Sequence, residues 1–189
     1  MTSKIEICRH ALSLIGDDFD MIDLSDETKQ GAACNLLYEK CRDQCLRAFP
    51  WSFAIKRYSL ASTTNKPAFG TGNMFVYPTD CLRIVKLEEN IPYSVEGKFI
   101  IADVEPLNFY GINKETDISA YDSEFCMCLA YLLAAELCTT LSQDLKLKET
   151  LLANYQQLLS HAKTTSSFEN SGRFYEVHGL LDSRFIGAF

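Results

Sequence analysis

The sequence lacks the short motifs that mark the common catalytic and nucleotide-binding sites. It has no GxxxxGK[ST] or GxGxxG phosphate loop, no HExxH zinc motif and no GxSxG nucleophile elbow. Its histidines, His10, His161 and His178, are scattered, and we interpret each as a surface or interface residue. Glu39 and Asp43 lie one helical turn apart, but their charged neighbours favour a solvated, ion-paired surface over an acid–base pair. We therefore expect no catalytic, cofactor-binding or metal-binding residue, and no enzyme.

A basic cluster and a long apolar run are also missing. The chain has 18 Lys and Arg against 25 Asp and Glu, a net charge of −7. General nucleic-acid binders carry a basic patch, so the composition argues against that class. The longest apolar stretch, residues 125–137, contains Glu136 and is shorter than the roughly 20 residues that span a bilayer. The N-terminus predicts a capped helix start rather than a signal peptide.

Cysteine is plentiful, with eight residues, but no two form a CxxC pair. Cys34, Cys41 and Cys45 share one face of a predicted helix. Cys126 and Cys128 lie two residues apart, so they point away from each other on a helix. A buried cysteine behaves as a small hydrophobic residue. We predict core packing rather than a metal site or disulfides, and a reducing compartment.

The prediction centres on one stretch, residues 25–54. Ser25 is placed to cap a long helix, in which apolar and small residues recur at the spacing of one buried stripe. Pro50 ends this helix, and the only tryptophan of the chain follows it. We predict that Pro50, Trp51 and Phe53 anchor the helix end to the fold. The opposite helix face holds the charged residues Glu39, Lys40, Arg42, Asp43 and Arg47.

Three more helices are predicted around this one. A capping box at Ser3 opens the first, and Gly16 is placed to end it. Asp122 caps the third helix. The fourth carries a leucine stripe and ends near Lys163.

Between the second and third helices the periodicity changes to that of short strands. The clearest signal is a hairpin that turns at Glu96 and Gly97. The predicted fold class is mainly α (α+β): a four-helix bundle with a small antiparallel β insertion, followed by an extended C-terminal tail. We place the helical domain at residues 1–163 and the insertion at about residues 53–112.

Residues 164–189 are the predicted tail, a polar tether followed by the apolar and aromatic RFYEVHGLLDSRFIGAF. A sticky terminal segment on a soluble tether is typical of docking on a partner. The alternative is a terminal strand that folds back on its own sheet. Aromatic residues and arginine dominate interface energies, and the predicted docking residues are Arg173, Phe174, Tyr175, Leu180, Leu181, Arg184, Phe185, Ile186 and Phe189.

Several short sequence motifs follow one another along the chain in an order that is similar to that of a known family. ALSLIG at 11–16 ends the first helix, and LRAFPWSFA at 46–54 ends the long one. YPTDCLR at 77–83 and VEG at 95–97 follow, before two closing helices and the tail. Together they resemble the head–tail adaptor, or head-completion, proteins of short-tailed bacteriophages, the tail tubular protein A-like family. The gap after the tyrosine of YPTDCLR is shorter than in that family.

The resemblance implies a structural role in the virion, at the head–tail junction, for a protein made in the host cytoplasm. Adaptor subunits of this family form a ring, typically a dodecamer, beneath the portal protein. They extend the DNA channel and carry the tail nozzle. The C-terminal segment would reach the portal, and no membrane is involved. Genomic DNA would pass without specific binding, since a lumen poor in Lys and Arg lets the duplex slide.

Two other classes stay open. A cellular helical protein-interaction module would show the same helices but no affinity for a portal ring. A virion-associated peptidoglycan hydrolase would use a pair of carboxylates, and Glu39 is the residue to test.

Overall fold

The computed structural model describes residues 3–17 and 28–169 of the chain, with side chains as far as Thr164. In this part of the chain, four α-helices flank six β-strands that lie between the second and third helices. The helices are α1 (Lys4–Leu14), α2 (Lys29–Ala48), α3 (Ser123–Leu141) and α4 (Leu145–Glu169). The strands are β1 (Ile55–Leu60), β2 (Asn73–Val76), β3 (Cys81–Leu87), β4 (Tyr93–Glu96), β5 (Phe99–Ala102) and β6 (Leu107–Asn113).

Helix α3 is the centre of the helical layer, because α1, α2 and α4 each pack against it. Most of its side chains are buried, including Phe125, Leu129 and Leu133. A helix that is apolar on all sides belongs in a protein interior. The organising element is therefore α3, rather than the helix within residues 25–54 on which the sequence-based prediction centred.

The apolar part of α3 is longer than the run of residues 125–137 that the sequence shows. The helix has 19 residues and a most apolar window of mean hydropathy 1.5, which by length and composition alone would allow it to cross a bilayer. Of that window, 61% is buried inside the fold. The apolar stretch thus extends beyond residues 125–137, and packing against three other helices accounts for its composition.

The strands form two three-stranded antiparallel sheets. The strand order is β1–β6–β3 in the first sheet and β2–β5–β4 in the second. In the first sheet Tyr58 pairs with Phe109, and their rings stack with centroids 5.0 Å apart. The β4–β5 hairpin turns at Gly97, whose φ of +60° suits glycine. The predicted hairpin is confirmed.

The first sheet lies between the helices and the second sheet. Ile112 of β6 joins the helical core together with Trp51 and Phe125. Phe109, on the opposite face of β6, joins a second core with Phe75. The described part of the chain therefore has three layers and two hydrophobic cores.

The predicted fold class is wrong. The strands are not a small insertion into a four-helix bundle, since they form two sheets that enclose a core of their own. Each strand has a local signal, but the pairing of β1 with β6 joins segments that are distant in sequence and share no turn. Local periodicity does not reveal such pairing.

The helix ends agree with the prediction in part. At Ser3 the hydroxyl accepts from the Glu6 amide at 3.1 Å and the Glu6 carboxylate accepts from the Ser3 amide at 2.7 Å, so the capping box is confirmed. Asp122 caps α3 as predicted, with its Oδ1 2.6 Å from the Phe125 amide. Helix α2 begins after Thr28, which accepts from the Gly31 amide at 3.0 Å. The N-cap of α2 is therefore Thr28 rather than the predicted Ser25, which lies outside the described residues.

The fourth helix is longer than predicted at its C-terminal end. Helix α4 continues to Glu169, so the expected end near Lys163 is wrong. The residues from Thr164 to Glu169 include no Pro or Gly, the residues that disfavour a helix most, and the helix extends through them. Residues 170–189 lie outside the described part of the chain.

Candidate interaction site

The predicted anchor residues lie where α2 meets the first sheet. Pro50 has no backbone N–H with which to continue the helix. Trp51 is 2% exposed, and its indole Nε1 donates to the carbonyl of Cys45 at 3.0 Å. That carbonyl lies in the last turn of α2, where helix carbonyls lack helical partners. Trp51 and Phe53 each meet the ring of Phe125 edge-on at a centroid distance of 5.2 Å, and these contacts hold the end of α2 against α3.

Close to this anchor, a cleft of about 450 Å³ opens between the two sheets. Strand β3 is an edge strand of the first sheet and β4 is an edge strand of the second, and both line the cleft. An edge strand presents backbone N–H and C=O groups that can pair with another chain. The lining residues are Arg47, Tyr77, Cys81, Leu82, Arg83, Ile84, Tyr93, Val95 and Gly97.

Two arginines determine the charge of the cleft. Arg47 extends from the last turn of α2, and its Nη1 donates to the Leu82 carbonyl at 2.8 Å. Arg83 is half-buried, and among the described residues its buried Nε finds no hydrogen-bond acceptor. Burial, and secondarily the charge of Arg47, lower the pKa of Arg83. The described lining residues include no Asp or Glu, so the only charges they bring to the cleft are the positive charges of Arg47 and Arg83.

The other lining groups are suited to binding rather than to reaction. The Cys81 thiol donates to the Tyr77 hydroxyl at 3.7 Å, and burial raises the pKa of both groups. The reactive form of cysteine is the thiolate, which burial disfavours. Tyr93 and Val95 place apolar surface at the mouth, with 43% and 50% of their area exposed. The cleft can therefore hold an anionic group beside apolar side chains.

The outer face of the second sheet carries apolar side chains on β2 and β5, but Ser94 and Glu96 on β4. Phe75 and Ile100 point into the core between the sheets, so the alternate residues on their strands point outward. These outward residues are Met74, Val76, Phe99 and Ile101. Of these, Val76 is 55% exposed and the other three are half-buried, so the exposed apolar surface on this face is small.

The charged face of α2 differs from the prediction at one residue. Arg42 is 5% exposed instead of solvated. Its Nε donates to Asp43 Oδ1 at 2.9 Å, and its Nη2 lies 2.8 Å from the same oxygen, an ion-pair distance without hydrogen-bond geometry. Asp43 Oδ2 also lies 3.0 Å from Lys114 Nζ. Asp43 is thus ion-paired, whereas Glu39 is exposed.

Seven of the eight cysteines are buried and Cys126 is half-buried, so the prediction of core packing is confirmed. Burial raises the pKa of Cys41 and Cys128 to about 12. Among the described residues, no group of three or more His, Cys, Asp and Glu side chains is placed to hold a metal ion. His161 Nδ1 lies 3.5 Å from Glu124 Oε1 on the surface.

The predicted docking residues of the tail all lie outside the described residues, and their role stays a prediction. They are Arg173, Phe174, Tyr175, Leu180, Leu181, Arg184, Phe185, Ile186 and Phe189. His178 lies there too. Arg83 and Val95 belong to sequence phrases quoted above, but neither they nor Tyr93 were predicted as residues of a binding site. The alternation of Tyr93 and Val95 before the hairpin was a usable signal, because it predicts two apolar side chains on one face of β4.

Comparison with known proteins adds no family to this description. No protein-family model matches the chain, and a search of curated proteins gives no match either. A functional assignment therefore depends on the order of the sequence phrases and on the surfaces of the molecule.

Proposed function

We propose that the chain is a structural adaptor of a phage virion, which forms a ring under the portal, extends the DNA channel and joins the head to the tail nozzle. The sequence phrases that resemble the adaptor family support this role. The observation that carries it structurally is the uncovered part of the second sheet.

All four residues of β4 are exposed. Val95 pairs with Ile100, which pairs with Phe75 on the next strand. Residues paired directly across antiparallel strands point to the same face. Ile100 and Phe75 are fully buried, whereas Val95 is 50% exposed. On β4, the side of the second sheet that faces the core is therefore not covered by the first sheet. Such an uncovered surface is expected where a neighbouring subunit binds.

The acidic composition suits a conduit for DNA. With a net charge of −7 per chain, a ring carries a large negative charge. Such a ring does not hold the phosphate backbone, because binding of the backbone requires Lys and Arg that displace counterions. A strongly basic lumen in an assembled ring would contradict this part of the proposal.

The direct test is to mix the chain with the portal ring of the phage that encodes it and to examine the mixture by electron microscopy. We expect rings of this chain stacked on the portal. Val95→Asp should prevent ring formation, whereas Leu36→Asp should not, because Leu36 is 78% exposed on α2, away from the sheets. A chain that stays monomeric and ignores the portal would refute the proposal.

Two further measurements separate the alternatives. A chain truncated after Gly172 should lose its affinity for the portal; undiminished binding would contradict docking by the tail. Clearing of a peptidoglycan suspension that Glu39→Gln abolishes would favour a hydrolase instead.

A further inference from the structure

The cleft between the sheets has the chemistry of a receptor for an acidic, extended segment. Arginine forms strong bidentate hydrogen bonds with carboxylates and phosphates, and the half-buried Arg83 has a buried Nε without an acceptor among the described residues. Arg47 lies beside it in the same wall. The edge strand β4 offers backbone groups along the opening, and Tyr93 and Val95 offer apolar contacts. The occupant should therefore combine carboxylates, apolar side chains and a backbone free to pair.

One segment of the chain has this composition. Residues 18–27, DFDMIDLSDE, carry five carboxylates and no Lys or Arg, with Phe, Met, Ile and Leu set between them. The segment lies outside the described residues. The apolar tail is a weaker match, because Arg173 and Arg184 offset Glu176 and Asp182. Charge complementarity favours residues 18–27.

The fold prevents this segment from reaching the cleft of its own chain. Its two ends are fixed at the start of α2, since Asp17 accepts from the Gln30 side chain at 3.2 Å and Thr28 caps the helix. Arg47 lies in the last turn of this 20-residue helix, about 30 Å away at about 1.5 Å per residue. A 10-residue segment held at both ends extends at most about 20 Å, at about 3.5 Å per residue. Its backbone cannot lie along β4 of the same chain.

We propose that residues 18–27 of one copy bind in the cleft of Arg47 and Arg83 of the next copy, with backbone pairing along β4. The contact is heterologous, because each copy contributes a segment at one end of α2 and a cleft at the other. Heterologous contacts generate closed rings when the rotation between neighbours closes. This inference rests on the proposed function and names the contact that joins neighbours in the ring.

A labelled peptide of residues 18–27 tests the contact directly by fluorescence anisotropy. The receptor is the full chain with Asp20→Asn and Asp23→Asn, which weaken competition by its own segment. Arg47→Gln and Arg83→Gln in this receptor should each weaken binding about tenfold, the usual effect of losing one charged hydrogen bond. Arg57→Gln is the matched control, since it removes one positive charge from β1 at the far edge of the first sheet. A scrambled peptide of the same composition should bind less tightly.

Equal binding to all three arginine variants, or equal binding of the scrambled peptide, would overturn the inference. Thermal melting checks that each variant is folded. If Arg83→Gln does not fold, the exposed Arg47 carries the test alone.

Mixing two defective chains tests the head-to-tail geometry. One chain carries Arg47→Gln and Arg83→Gln, and the other carries Asp20→Asn and Asp23→Asn. Each should sediment as a monomer where the intact chain assembles, and the mixture should stop at a one-to-one dimer, because one working cleft meets one working segment. Assembly of either variant alone, or a mixture that stays monomeric, would overturn the inference. So would a chain truncated after Gly172 that no longer self-assembles, because the tail would then make the contact. If the chain binds the peptide but not the portal, this contact stands and the proposed function is refuted. If the chain binds the portal but not the peptide, the proposed function stands and this contact is refuted.

Discussion

Two substitutions of Trp51 separate the contributions that this residue makes to the end of α2. Its indole N–H donates to the Cys45 carbonyl at 3.0 Å. Its ring also packs edge-on against Phe49 and Phe125, with centroids 5.0 and 5.2 Å away. Trp51→Phe removes the hydrogen bond and keeps an aromatic ring, whereas Trp51→Ala removes both.

The two variants should differ clearly in their free energy of unfolding. A buried acceptor that loses its donor costs about 1–3 kcal/mol, which is the loss expected for Trp51→Phe. Truncation to Ala also leaves a cavity, because the side chain is 2% exposed. Such truncations cost about 3–5 kcal/mol. Native proteins typically have a free energy of unfolding of about 5–15 kcal/mol, so Trp51→Ala should remove a large share of the stability.

Urea unfolding followed by far-ultraviolet circular dichroism measures both losses, because the only tryptophan is lost as a fluorescent probe. Phe69→Ala is the control: Phe69 is 90% exposed, and its truncation should change the stability by less than about 0.5 kcal/mol. A Trp51→Phe variant as stable as the intact chain would refute the role of the hydrogen bond. A cost below about 1 kcal/mol for Trp51→Ala would refute the anchor itself.

Three further outcomes follow from the packing. Gly111→Ala should cost about 1–3 kcal/mol in urea unfolding, because the added Cβ would lie 2.7 Å from Cys81 Sγ; an unchanged midpoint would contradict this close approach. A thiol reagent should modify Cys126 first and the other seven cysteines after unfolding, because those seven are buried; rapid native modification of all eight would contradict that burial. Burial raises the pKa of Cys41 and Cys128 from 9.0 to about 12. The unfolded chain therefore loses these protons first as the pH rises above 9, and the free energy of unfolding should fall by up to about 1.4 kcal/mol per pH unit for each thiol. Urea unfolding in reductant at neutral and at alkaline pH measures this fall, and equal stability at both would contradict the raised pKa values.

The features that sequence reasoning predicted correctly are local ones. The capping box at Ser3 needs two residues three positions apart, and the hairpin at Gly97 needs a turn residue between two alternating runs. In each case the cause lies within a few residues of the effect.

Arg42 shows how residue type can mislead where position is informative. It lies four residues after Tyr38 and three before Cys45, on the same stripe of α2 that is buried. Its charge suggested the opposite face, but Asp43 neutralises the guanidinium within reach of the same turn. The helical spacing alone predicts burial at this position.

The layers of the fold could not be predicted from any single segment, because they depend on pairing between segments that are distant in sequence. The central strand β6 pairs with β1 and with β3, so the first sheet joins segments from both ends of the β region. The same topology places two edge strands at one cleft and brings Arg47 of α2 beside Arg83 of β3. Neither arginine has a local signal for this neighbour, because the contact follows from tertiary pairing alone.

This arrangement gives an acidic chain a local positive site at one end of a rigid helix and its densest negative charge at the other. Helix α2 holds Arg47 about 30 Å from the start of the helix, where residues 18–27 are tethered. A subunit with opposite charges at its two ends favours head-to-tail contacts and disfavours symmetric pairing, because like ends repel. In the proposed ring, the separation of charge along α2 would set the direction of assembly, which an even distribution of the same charges would not.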